Sequence, residues 1–186
     1  MRRINLKDAL GSENLVGRSM ATDHLPKLVT LAFGGEGNET IIWDFRDVDL
    51  ATASYIGGTF VPLIRMVTSG KLDRYFVFAN LNEHCQDEFS LVCEAEKIAA
   101  LCLGEDGDGS VETSRIVGHL DPVYRDTLAT VLSKGRVSAS MVQGGNEKQT
   151  KVKRTTGLKR LTTLVSQGLL RRVKVGREYV YEATYN

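Results

Sequence analysis

Apolar side chains fall along the chain in short runs and in helical stripes. Thr40-Ile-Ile-Trp-Asp-Phe45 and Arg74-Tyr-Phe-Val-Phe-Ala79 are compact runs rich in β-branched and aromatic residues, the composition of buried strands. Between them Tyr55, Ile56, Phe60, Leu63, Ile64 and Val67 recur at helical spacing, which predicts a helix over 54–69 in spite of Pro62. The stretches 15–33 and 82–103 read as two further helices. Strands alternating with helices predict an α/β architecture, a sheet covered by helices.

Beyond Gly118 the pattern changes. Asp121-Pro-Val-Tyr-Arg-Asp-Thr-Leu-Ala-Thr-Val-Leu-Ser-Lys-Gly135 has an acid at the N-cap, Pro at the first helical position and a terminating Gly, which together delimit a helix. Its apolar residues are Tyr124, Leu128, Val131 and Leu132. Ser138 to Gln143 can form a shorter helix ended by Gly144-Gly145. Leu158, Leu161, Leu164 and Val165 then give another helix an inward stripe that stops at Gly168. Its opposite face carries Thr156, Lys159, Arg160 and Thr163. Two alternating stretches follow around Gly176-Arg177, the mark of a β-hairpin. With a two-residue turn, Val173, Val175 and Val180 share one face, and Arg172, Lys174, Tyr179 and Tyr181 the other.

Composition adds size and charge to this picture. With 186 residues, 42% of them apolar, the chain can build one full-size core or two small ones. A charged fraction of 25%, 18 Gly and 3 Pro exclude a disordered, collagen-like or disulfide-scaffold chain. The net charge of +1 conceals a cancellation. Residues 1–118 hold 11 Lys/Arg and 18 Asp/Glu, a net of −7, whereas residues 119–186 hold 13 and 5, a net of +8. A positive field confined to the second segment predicts two domains, 1–110 and 121–186, joined by a linker over 111–120. Gly104-Glu-Asp-Gly-Asp-Gly-Ser110 and Pro122 mark the break. Three cysteines, Cys85, Cys93 and Cys102, are an odd and sparse set, which predicts a reducing, cytoplasmic setting. No run of about 18 apolar residues occurs, so neither a targeting segment nor a membrane span is expected.

The segment Ile41-Ile-Trp-Asp-Phe-Arg-Asp-Val-Asp-Leu-Ala-Thr-Ala-Ser-Tyr-Ile56 resembles the STAS superfamily, named for sulphate transporters and anti-sigma factor antagonists. The resemblance lies in a hydrophobic strand ending in Asp-Phe, an acidic turn, and a Thr/Ser-rich opening of a helix. It is closer to the STAS-like branch of unknown function, in which Thr-Ser-Ser-aromatic is typical and Thr52-Ala53-Ser54-Tyr55 stands here. The resemblance spans residues 1 to 110 and implies a sheet covered by helices that senses, dimerises or docks a protein, with a kinase-like ATPase as one partner class. The serine phosphorylated in anti-sigma factor antagonists falls at Ala53, so a switch at that position is absent. Thr52 and Ser54 flank it at a helix N-terminus, where their hydroxyls either cap free N–H groups or accept a phosphate.

In the second segment, helix, short helix, helix with a basic outer face and basic hairpin is the order of a winged helix-turn-helix. Thr156-Gly-Leu-Lys-Arg-Leu-Thr-Thr-Leu-Val-Ser-Gln-Gly-Leu-Leu-Arg-Arg172 and Arg177-Glu-Tyr-Val-Tyr181 are similar to the recognition helix and wing of bacterial winged-helix transcription regulators. Physical chemistry points the same way. Arg and Lys can bond guanine edges in the major groove, and Thr can contact a thymine methyl or a phosphate. Thr156, Lys159, Arg160 and Thr163 occupy the face such a helix presents. Lys148, Lys151, Lys153, Arg154, Arg171, Arg172, Lys174 and Arg177 are the expected backbone contacts. Double-stranded DNA is therefore the expected partner, with a homodimer matching a palindromic operator. The alternative is a protein-interaction adaptor of an anti-sigma-type or ATPase signalling system, whose basic domain binds an acidic partner or RNA.

Other constellations carry little chemistry. The cysteine intervals of 8 and 9 lack paired metal-ligand spacing, and buried packing roles are expected for them. Asp106-Gly-Asp-Gly-Ser110 opens like a calcium loop, but Val111 and Val117 stand where that loop needs Gly and Glu. Gly34-Gly-Glu-Gly37 precedes a strand and lacks the Lys-Ser/Thr pair of a phosphate cradle. For His24, His84 and His119, sequence spacing places no serine, cysteine or carboxylate in the arrangement of a catalytic set. No metal, cofactor or catalytic set is expected, and the chain reads as a non-enzyme.

Overall fold

The computed structural model describes residues 1–71, 73–104, 114–143 and 154–185. It is a mixed α/β structure that divides into two compact units, Met1–His119 and Leu120–Thr184. The first unit runs β1 (Arg2–Asn5), α1 (Leu6–Leu10), β2 (Asn14–Leu15), α2 (Gly17–Phe33), β3 (Glu39–Asp44), β4 (Leu50–Ala51), α3 (Ala53–Thr68), β5 (Arg74–Ala79), α4 (Glu83–Ala95), β6 (Ala99–Leu103) and β7 (Ser114–Gly118). Its sheet has the order β1-β3-β5-β6-β7. The first four strands are parallel and β7 is antiparallel to β6. Each parallel strand lies beside the next one in the chain, so right-handed crossovers place α2, α3 and α4 on the same face of the sheet. They pack there side by side, α2 on α3 and α3 on α4.

Period-two geometry sends Ile41 and Trp43 of β3, Phe76 and Phe78 of β5, and Ala100 and Cys102 of β6 into the cluster under these helices. Thr40, Ile42, Asp44, Val77 and Leu101, on the opposite face, are buried too. Burial on both faces explains why β3 and β5 are unbroken apolar runs. Phe45, Phe60, Phe78 and Phe89 meet in tilted and edge-to-face pairs with centroids 4.5 to 6.5 Å apart, arrangements worth about 0.5–1.5 kcal/mol per pair beyond their burial. The helices approach closely where side chains are small: a Cβ on Gly58 of α3 would stand 2.7 Å from that of Ala21 in α2. All three cysteines are buried and free, and burial pushes the Cys93 thiol up to about 12, so these thiols pack as apolar groups at neutral pH.

Three expectations change here. The helix read over 82–103 ends at Ala95, and its last apolar stretch is β6. Lys97 takes a positive φ of 53° and the Ile98 N–H bonds back to the Cys93 carbonyl, a reversal that stops the helix before Ala99. The helix read over 15–33 starts at Gly17, with Leu15 in β2. Within the stretch expected as a linker, 114–118 form β7. Gly118 ends that strand at φ +83°, where any Cβ would collide with the Ile98 carbonyl and Cys93.

The second unit runs α5 (Pro122–Lys134), β8 (Arg136–Ser138), a single 3₁₀ turn (Met141–Gln143), α6 (Arg154–Ser166), β9 (Leu170–Val175) and β10 (Glu178–Ala183). Asp121 caps α5, its side chain accepting from the Val123 N–H at 2.9 Å, and Gly135 closes the helix at φ 72°. The strands form an antiparallel sheet with β10 between β8 and β9. Strand β8 has no counterpart in the sequence reading, which placed a short helix from Ser138; the helical part shrinks to the 3₁₀ turn. Leu128, Val131, Val137, Leu161, Leu164, Leu170 and Tyr181 are buried. On the middle strand the buried Glu182 stands opposite Arg136 and Arg171 of its neighbours. Its Oε2 accepts from Arg136 Nε at 2.8 Å and pairs with Nη2 at 2.6 Å.

Candidate nucleic-acid interface

Helix α6 buries one stripe and exposes a broad polar face. Gly157, Leu161 and Leu164 point inward. At Gly157 the helix packs on the 3₁₀ turn, and a Cβ there would lie 3.6 Å from the Val142 side chain and the Ala139 carbonyl, an ordinary van der Waals contact. Gly157 is buried and Leu158 faces out. Leu158, expected in the core stripe, is 44% exposed. It joins Tyr179, itself 48% exposed, along a groove of about 220 Å³ between α6 and the hairpin, where Ser140 and Arg177 also contribute. The sequence pattern missed this groove because Leu158 sits at a core-compatible spacing.

Of the residues expected to face DNA, Thr156 and Lys159 are exposed, and Arg160 and Thr163 are half-buried on the flanks of that face. Arg154 begins α6, with its side chain outside the described residues; Lys148, Lys151 and Lys153 also lie outside them. The hairpin has the two-residue turn Gly176-Arg177, and its register pairs Arg172 with Tyr181 and Lys174 with Tyr179, the face grouping read from alternation. Arg172 holds its guanidinium over the Tyr179 ring, 4.6 Å from the centroid, which orients the charge while leaving it exposed. Arg171 points to the other face, opposite Glu182. Among the described residues, Lys159, Arg160, Arg172, Lys174 and Arg177 enter no ion pair, whereas Arg136 is committed to Glu182. The candidate interface thus combines cations that enter no ion pair among the described residues, on α6 and on the hairpin, two elements that pack together through α6 and β9.

The first unit holds the other candidates. Thr52 stands at the N-cap of α3 but makes no capping bond to that helix. Its Oγ1 accepts instead from the Gly17 N–H, 3.1 Å away at the start of α2, and lies 3.2 Å from the exposed Ser54 hydroxyl. The cap of α3 comes from α4: Glu88 Oε2 accepts the Ala53 N–H at 2.7 Å, a carboxylate at the positive end of the helix. A phosphate on Ser54 would share that end with this carboxylate, an unfavourable like-charge pairing. Nearby, His24 Nδ1 and the Tyr55 hydroxyl share a hydrogen bond of 2.9 Å. Burial lowers the His24 imidazole and raises the Tyr55 phenol well above its ordinary range. Cys85, Cys93 and Cys102 sit in the core, and among the described residues no cluster of three metal-ligating side chains occurs. No helix among them is long and apolar enough to cross a membrane. Comparison with protein-family models, curated proteins and solved structures finds no match to the chain.

Proposed function

We propose that the protein is a DNA-binding transcriptional regulator. In this reading the second unit is a winged helix-turn-helix that lays α6 in the major groove and sets the β9–β10 hairpin against the flanking backbone. The first unit is a STAS-like sensor, dimerisation or protein-docking domain. The observation that carries the proposal is the set of cations Lys159, Arg172, Lys174 and Arg177, which enter no ion pair among the described residues, on a helix and hairpin that adjoin. The element order and the placement of β10 between β8 and β9 support the winged-helix part. Four parallel strands in chain order, with the acidic turn after β3 leading into α3, support the STAS-like part.

The test is a double substitution, Lys159→Ala with Arg160→Ala, in the full chain. Specific duplex affinity should fall by at least tenfold, from the loss of contacts worth about 1–3 kcal/mol each, with the thermal transition unchanged. Undiminished affinity for the selected operator would remove α6 as the reading helix. Flat, negligible binding of random duplex at low ionic strength would instead favour the protein-interaction adaptor.

A further inference from the structure

The outward face of α6 restricts which base edges it can read, an inference that rests on the DNA-binding reading above. Residues 154–166 include no Asn, Gln, Asp, Glu or His. The amide fork that recognises adenine and the carboxylate that accepts from cytosine are therefore missing from this helix. Its exposed face centres on Lys159, surrounded by Thr155, Thr156, Thr162 and Ser166, with Thr163 half-buried beside them. Two hydroxyls on it are already engaged. Thr162 Oγ1 donates to the Leu158 carbonyl at 2.9 Å, and Ser166 Oγ donates to the Thr163 carbonyl at 2.8 Å. A back-bonded threonine has a fixed χ1, so the Thr162 methyl becomes the group offered to a ligand. An open recess of about 380 Å³ on this face is bounded by Thr155, Leu158, Lys159, Thr162, Thr163 and Ser166, which surround a single ammonium group with methyls and methylenes.

We propose that α6 reads thymine. The methyls of Thr162 and its neighbours pack on the C5-methyl groups of successive thymines, while Lys159 takes the O6 and N7 of one guanine. The thymine methyl is the apolar feature the major groove presents, and desolvating one against a side-chain methyl is worth about fourfold in affinity. The half-site is A·T-rich with one G·C pair. Attraction to the phosphates comes from the net charge of +8 on residues 119–186 rather than from the reading face.

The experiment selects duplexes from a random pool with the full chain, then measures affinity for the selected site with each thymine replaced in turn by uracil, which removes only the C5-methyl. The expected result is a T-rich half-site containing one guanine, and a loss of about fourfold at each contacted thymine. Thr162→Ser keeps the back-bond and removes the methyl, so it should abolish the loss at one position. A G·C-rich site, or uracil tolerated everywhere, would overturn the thymine reading while leaving DNA binding in place. No duplex bound above the random background at low salt would overturn the DNA-binding reading itself, and this inference with it.

Discussion

His24 and Tyr55 form a residue pair whose energetics depend on pH. The imidazole packs between α2 and the start of α3, and desolvation holds it below its ordinary value, with Asp23 opposing that shift and Lys27 adding to it. The unfolded chain therefore binds the proton first as pH falls. Stability that is complete above about pH 6.5 is lost as pH falls toward and through the folded value, because only the unfolded state gains the proton across that window. Trp43 is the single tryptophan and is fully buried in the first unit, so its fluorescence reports this unit alone. Urea midpoints followed by Trp43 should fall between pH 7.5 and 5.5 more steeply in the natural protein than in His24→Gln. Parallel slopes would show that the pair does not couple to folding. Neighbouring Thr52 illustrates the same residue-scale lesson: it has N-cap chemistry, yet its oxygen serves Gly17 across 35 positions of sequence, a partner that local propensity cannot name.

At the scale of elements, α3 starts where α4 reaches over to cap it. Removing the Glu88 carboxylate leaves the Ala53 N–H without its protein acceptor and takes a negative charge from the helix N-terminus. Glu88→Ala should therefore cost about 1 kcal/mol, read as a lower urea midpoint of the Trp43 signal; an unchanged midpoint would mean water replaces the cap at no cost. The elements themselves were unevenly legible in the sequence. Strands β3 and β5 were readable because both faces are buried, which compresses aromatic and β-branched residues into a run. Helix α5 was readable through Asp121, Pro122 and Gly135, and the hairpin through its alternation about Gly176. Strand β6 was hidden because Ala99-Ala-Leu-Cys-Leu103 contains no β-branched residue and continues the apolar content of α4. The edge strands β1 and β7 were hidden for another reason: Arg2-Arg-Ile-Asn5 and Ser114-Arg-Ile-Val-Gly118 are short and carry the charges that edge strands favour. For the candidate interface, the alternation of the hairpin placed Arg172 and Lys174 with Tyr179. The wheel drawn for α6 misplaced Leu158, whose spacing suits the core stripe although the side chain is exposed.

Across the whole molecule, the near-zero net charge would suggest weak, salt-insensitive behaviour toward polyanions, but binding responds to the local field. The acidic excess resides in residues 1–118 and the basic excess in residues 119–186, and at about 0.1 M salt charges act over only about 10 Å. In the DNA-binding reading, a duplex seated on α6 and the hairpin would meet the cations of those two elements at short range. Each phosphate neutralised contributes about −0.9 to the slope of log Kobs against log salt. The full chain should accordingly bind random duplex with a steep negative slope between about 50 and 200 mM salt. Lys174→Ala combined with Arg177→Ala should make the slope shallower by about 1.8, two phosphates at about 0.9 each, without altering which sequence is preferred. Both side chains are exposed and enter no ion pair among the described residues, so their removal leaves the core of the hairpin intact. Fluorescence anisotropy on a labelled duplex across the salt series measures both quantities. A slope that stays the same would place the hairpin away from the phosphate backbone, and a changed sequence preference would make it a reader of bases in its own right.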